Sequence, residues 1–183
     1  MDTPNPSGAP SAERRYVVIA AAVAAFLTPF TSSSVNVAIS AIGRELTLPA
    51  TAQSWVVTSY ILSASVLLLP LGRVADLHGR RAVFTLGIAI FSASSLLAAL
   101  SGNFATLVCG RALQGLGSAM IFSTGLAILT STFPQRERGR VIGYNIAAVY
   151  SGLSLGPAIG GALTHYASWR AIFWLNALLG TVT

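Results

Sequence analysis

The sequence predicts an all-α membrane protein, a six-helix bundle whose last helix is shorter than a bilayer is thick. Three observations predict it. Only 9% of the 183 residues are charged against 54% hydrophobic, whereas soluble domains carry about 25% charged residues. Such a chain lacks the polar surface that covers a water-exposed core. Five stretches, Tyr16–Gly43, Leu46–Gly72, Ala82–Gly110, Ala112–Gln135 and Val141–Trp169, contain no Asp, Glu, Lys or Arg, and each is long enough for the roughly 20 apolar residues of a spanning helix. The cations between these stretches fall unevenly on alternate sides. Arg14, Arg15, Arg73, Arg80, Arg81, Arg136, Arg138 and Arg140 collect on one side, Arg44 and Arg170 on the other.

The elements follow in order. Met1–Ala12, rich in Pro, Ser, Gly and Ala, reads as a disordered tail, and residues 1–15 are assigned to it as a cytoplasmic segment. Residues 16–183 form the transmembrane bundle, with spans at about 16–42, 53–71, 82–100, 104–132, 141–163 and from residue 170. The first charge-free run is about twice the ~7–15 apolar residues of a signal peptide and reads as a span. Ser101, Gly102 and Asn103 mark the turn between the third and fourth. Ala171–Thr183 opens a sixth span of about 20 Å, against about 30 Å of hydrocarbon, which predicts a companion C-terminal half.

Counting arginine by side places the N-terminus and the 72–81 and 133–140 loops in the cytoplasm. The net charge of +6 is all arginine and reads as topology, not as nucleic-acid binding. Cys109 is the sole cysteine; it excludes an internal disulfide and is expected as a packing residue. No metal or cofactor motif is present.

Four constellations carry candidate chemistry. The loop Gly72-Arg-Val-Ala-Asp76-Leu-His-Gly79-Arg80-Arg81 sets one carboxylate among guanidiniums and can either latch a gate or serve as a solvated, positive loop. Its two glycines suit a tight turn with close helix approach. Arg111 lies within a predicted span, three residues from Gln114 on the same helix face. It faces a cavity or a partner, or it snorkels to the interface. In the fifth span Gly152, Gly156 and Gly160 line one face, followed by Gly161, with Pro157 among them. That pattern suits close helix contact and a hinge, or ordinary packing. Thr31, Ser33, Asn36 and Gln114 are candidates for a polar cavity; the hydroxyls can equally bond their own helix.

These strings resemble the major facilitator superfamily. The 72–81 loop is similar to the family signature between its second and third spans, which implies inner-gate roles for Asp76, Arg80 and Arg81, with Gly72 and Gly79 shaping the turn. The Arg111–Gln114–Gly115 string resembles a fourth-span motif associated with proton coupling. The segment around Gly156-Pro157 is similar to the motif of the superfamily's antiporters. Trp55-Val-Val-Thr-Ser-Tyr60 and Trp169-Arg170-Ala-Ile-Phe173-Trp174-Leu-Asn176 resemble the drug:proton antiporters, and Val35-Asn36-Val37-Ala38 resembles their fourteen-span branch. The resemblance covers the chain from about Phe26 onward and implies a three-plus-three inverted repeat. A faint echo agrees: Gly72, Arg81, Ala82 and Phe84 recur 89 residues later as Gly161, Arg170, Ala171 and Phe173.

One departure stands out. The branch carries an Asp shortly before Val35, where this sequence has Thr31-Ser-Ser-Ser34, and no Asp or Glu lies inside a span. Arginine does not deprotonate in proteins, so a proton acceptor is expected from the companion half. The expected function is proton-driven antiport of amphipathic molecules across the cell membrane, with no cofactor beyond the gradient and the bilayer and a small-molecule substrate as partners. The alternatives are a metabolite or organic-anion uniporter or symporter, or a fragment without activity. An intramembrane serine protease is excluded by the absence of a Gly-x-Ser-Gly string and of a partnered His within a span.

Overall fold

Each of the five charge-free runs becomes a helix, because a chain in lipid must satisfy every backbone group internally. The computed structural model describes residues 11–183. They form α1 (Ser11–Glu45), α2 (Ala50–His78), α3 (Arg80–Ala99), α4 (Phe104–Thr132), α5 (Gln135–Tyr166) and α6 (Arg170–Val182). The first five are long and apolar enough to cross a membrane, while α6 is a shorter apolar helix. The sequence-based spans are too short at several ends. α1, α2 and α5 run one or two turns past their apolar stretches, since a helix continues into the headgroup region after its side chains turn polar. Residues 11–15 accordingly belong to α1 and not to the tail; residues 1–10 lie outside the described residues.

Local chemistry sets the breaks. Gly79 adopts φ 98° between α2 and α3, a conformation that side chains with a Cβ rarely occupy. Asn103 caps α4, its side chain accepting the Thr106 N–H at 2.9 Å, which confirms the expected 101–103 turn. Pro134 precedes the first residue of α5, a position that requires no amide donor. Gly72 is different: it lies inside α2, and a methyl placed on it would meet only the Ser123 Cβ at 3.8 Å. Gly79 alone makes the turn.

The helices pack as α1 on α5 and α2 on α4, with α3 between α4 and α6 and α6 returning to α1. This arrangement tests the 89-residue echo. The contact of Phe26 (α1) with Gly152 (α5), moved by 89 residues forward and back respectively, becomes the contact of Gly115 (α4) with Ser63 (α2). Both contacts are present. The α1–α5 and α4–α2 pairs are thus two copies of one packing unit, with the glycine on opposite partners.

One buried cluster, Val35, Ile42, Val56, Leu107, Trp169, Ile172 and Phe173, fills the end that holds the α3–α4 and α5–α6 turns. A second, around Leu27, Tyr60, Phe91 and Ile121, fills the middle. Cys109 is exposed on α4, contrary to the packing role expected of it: Leu107, Gly110 and Arg111 occupy the inward face, and helical phase turns residue 109 away. His165 is exposed in the last turn of α5.

Candidate functional site

Arg111 is fully buried, so it does not snorkel. Its placement follows from the glycines around it on α4. A methyl on Gly117 would lie 2.7 Å from the Phe91 amide, and one on Gly115 would lie 2.9 Å from the Ser63 Cβ. α3 and α2 therefore approach closely enough to enclose the guanidinium. Arg111 Nε donates to the Val56 carbonyl at 3.1 Å, and one terminal nitrogen donates to Gln114 Oε1 at 2.6 Å. Gln114 Nε2 in turn donates to Ser95 Oγ at 2.7 Å. The guanidinium carbon stands 4.2 Å from the centre of the Tyr60 ring.

A charge near the bilayer centre costs about 2.5–3.5 kcal/mol. Hydrogen bonds to a charged group return about 1.5–3 kcal/mol, and a desolvated cation–π contact about 2 kcal/mol. Dipoles and a π face thus balance the charge, and none of these partners is a carboxylate. The second terminal nitrogen of Arg111 is buried without a hydrogen-bond partner, as are the hydroxyls of Thr28, Thr31 and Ser92 and both amide atoms of Asn176. The partners of Arg111 leave its site with a net positive charge.

Tyr60 is buried on the inward face of α2. Its hydroxyl donates to the Thr28 carbonyl at 3.0 Å and lies 2.8 Å from Ser118 Oγ, tying α1, α2 and α4 together. Within this bundle the four candidates for a polar cavity do not meet at one place. Thr31 and Gln114 are buried, Ser33 turns to α5, and Asn36 is exposed on the bundle surface.

The α5 glycines form a seam against α1. A methyl on Gly152 would lie 3.2 Å from the Phe30 amide, one on Gly156 3.1 Å from the Phe30 carbonyl, and one on Gly160 2.7 Å from the Ser34 Cβ. Ser34 Oγ donates across the seam to the Gly156 carbonyl at 3.0 Å, and Ser33 Oγ to the Gly152 carbonyl at 3.4 Å. Pro29 on α1 and Pro157 on α5 stand beside this contact. Gly161 has only ordinary contact, 3.7 Å to Val37.

At the arginine-bearing end, Asp76 pairs with Arg80 across the Gly79 turn, at 3.0 Å from Nε and 2.9 Å from a terminal nitrogen. Asp76 and Gly72 border an open groove of about 760 Å³ between α2 and α4, with Arg73, Phe122 and Ser123. Arg81 lines a different groove, beside Phe84 and Tyr16.

The opposite end carries a cluster that sequence reasoning missed. Glu45 accepts from Trp169 Nε1 at 2.7 Å and forms an ion pair with Arg170. Arg170 also donates to the Ser101 carbonyl at 2.9 Å and lies 4.2 Å over the Trp169 ring. The available signal was charge: Glu45 is the only acid assigned to that side, facing two arginines.

Comparisons place this geometry. The Major Facilitator Superfamily profile matches residues 21–183. The chain is 32% identical to the riboflavin transporter RibZ of Clostridioides difficile, over 93% of this chain and 37% of that one. It is 35% identical to the methylenomycin A resistance protein of Bacillus subtilis, over 90% and 35%. The chain therefore spans about a third of the length of these relatives. In fold it is similar to a bacterial homologue of the lysosomal transporter Spinster, with a TM-score of 0.80 at 18% identity over 95% of this chain and 43% of that one. The proton:xylose symporter XylE also scores 0.80, at 16% identity over 94% and 43%. On the profile match and the six-helix architecture together, the chain belongs to the major facilitator superfamily.

Proposed function

We propose that this chain is the N-terminal bundle of a proton-driven antiporter that exports drugs or other small amphipathic molecules, working against a C-terminal bundle by alternating access. The observation that carries the reading is the α5 seam. Gly152, Gly156 and Gly160 lie against α1 with Pro157 beside them, as the resemblance to the antiporter motif requires, and the two serine bonds hold the seam closed. Relatives named for methylenomycin, cephamycin and puromycin resistance or export support the direction of transport.

In this reading Arg111 and Gln114 belong to the coupling network, held by Val56, Ser95 and Tyr60. A buried cation without a carboxylate favours the charged form of any acid brought beside it, and the companion bundle supplies that acid. Thr31 is buried on α1; Asn36, exposed on this bundle, faces the companion bundle or lipid. Asp76 and Arg80 serve the inner gate, beside the α2–α4 groove that receives a helix of the other half. The N-terminus is cytoplasmic and the membrane is the cell membrane. No cofactor takes part beyond the proton gradient.

The test is transport by the full-length protein in vesicles. A drug is expected to move against its gradient when protons are supplied from the opposite side, and to stop when the proton gradient is collapsed. Arg111→Ala is expected to insert into membranes yet lose proton coupling. Drug movement indifferent to the gradient ends the antiport reading. The net positive surroundings of Arg111, which include no carboxylate, favour one second reading, transport of an organic anion without a proton, which counterflow with labelled anions distinguishes.

A further inference from the structure

The arginine-bearing end holds a groove that the transport reading does not use. It is an open cavity of about 470 Å³ between the first turns of α1 and α5. Arg14, Arg15, Arg140 and Glu137 stand at its rim, three cations to one anion. Below them its wall is apolar, formed by Val18, Ile19, Val141 and the Tyr144 ring. Arg140 is fixed in place: its Nε donates to the Tyr144 hydroxyl at 2.7 Å, and its guanidinium lies 5.5 Å from that ring. Arg138 turns away and donates to the Phe133 carbonyl at 3.1 Å.

We propose that this groove binds the headgroup of an anionic phospholipid. Position comes first: residues 14, 15 and 140 are the last charges before the apolar runs of α1 and α5 begin, so the rim lies at headgroup depth and the wall below it at acyl depth. Chemistry agrees. Guanidinium forks match phosphate oxygens in pairs, and basic pockets between helices at a membrane face suit anionic lipid. Free phosphate would leave the Val18, Ile19 and Val141 wall uncovered, whereas a lipid covers both halves. Glu137 sets the sign of a second effect, since removing it strengthens the site. The proposal is independent of the antiport reading.

The experiment is native mass spectrometry of the full-length transporter in neutral detergent, titrated with phosphatidylglycerol or phosphatidylcholine. Phosphatidylglycerol is expected to bind preferentially and to resist competition by glycerol 3-phosphate. Each arginine near a surface contributes about 1 kcal/mol to such attraction, so Arg140→Gln is expected to weaken it about fivefold and Arg14→Gln/Arg15→Gln/Arg140→Gln to abolish the preference. Glu137→Gln is expected to tighten it, and Arg136→Gln, in the first turn of α5 but outside the groove, to change it less than about twofold, well below the loss at Arg140. Where the triple variant fails to fold, Arg140→Gln and Glu137→Gln carry the test. Equal retention of both lipids, full displacement by glycerol 3-phosphate, or equal losses with Arg136→Gln and Arg140→Gln would each overturn the proposal.

Discussion

The two ends of the bundle use charge differently. At one end Glu45, Ser101, Trp169 and Arg170 come from three separate regions of the chain and meet around a tryptophan that is 2% exposed. At the other, Asp76 and Arg80 are four residues apart, and their side chains are 61% and 45% exposed. The first cluster fixes tertiary structure. The second fixes little beyond a turn, although that end carries most of the arginines. The exposed Asp76–Arg80 pair is therefore open to groups outside this bundle, while Glu45 and Arg170 are engaged within it.

Trp169→Ala gives the strongest test of that contrast. It empties a fully packed site and removes the Nε1 donor to Glu45, and is expected to cost about 3–5 kcal/mol, read as a fall in the thermal unfolding midpoint of the detergent-solubilised protein. A fall no larger than that of Asp76→Asn would show the two ends to be equivalent. Next in size is Gly156→Val on the α1–α5 seam, where the added side chain meets Ser33 and the Phe30 carbonyl. Overpacking of this kind costs about 1–3 kcal/mol. Gly72→Ala, with only Ser123 nearby at 3.8 Å, is expected to leave the midpoint within the scatter of the measurement. A double-mutant cycle at Glu45 and Arg170 is expected to give a coupling of about 1 kcal/mol, and the same cycle at Asp76 and Arg80 about 0.3–0.5 kcal/mol. Equal couplings would remove the distinction.

What the sequence made legible follows the range of each interaction. The helices depend on local composition, and the structure places their ends within a turn or two of the apolar stretches. The Arg111–Gln114 contact and the Gly152–Gly156–Gly160 face were readable because helical spacing fixes them within one element. The partners of those faces were not. Nothing local in Phe26, Phe30, Ser33 or Ser34 announces that they meet α5. The exposure of Asn36 was unreadable for a related reason: α1 is apolar on both its buried face (Val35, Ala38, Ile42) and its exposed one (Val37), so its rotational phase leaves no trace in composition. The Glu45–Arg170 pair joins residues 125 apart, beyond any periodicity. Nothing local to Tyr60 announces that it packs against a cation contributed by α4.

Asp76→Asn is a small change in stability and the most discriminating in function. The pair it breaks is exposed and within one turn of backbone, so hydration compensates most of the lost attraction and the midpoint is expected to move by no more than about 0.5 kcal/mol. Were the carboxylate simply part of a solvated loop, transport by the full-length protein would be equally indifferent. If it instead holds one of two arrangements of the gate, its loss removes a bias of the size usual for coupled sites, about 1–3 kcal/mol. The transport rate then falls by about five- to 150-fold with the fold intact. The two measurements must be made on the same preparation, because only a small stability change beside a large transport change assigns Asp76 to the gate. A parallel loss of both returns it to the role that Glu45 plays at the other end.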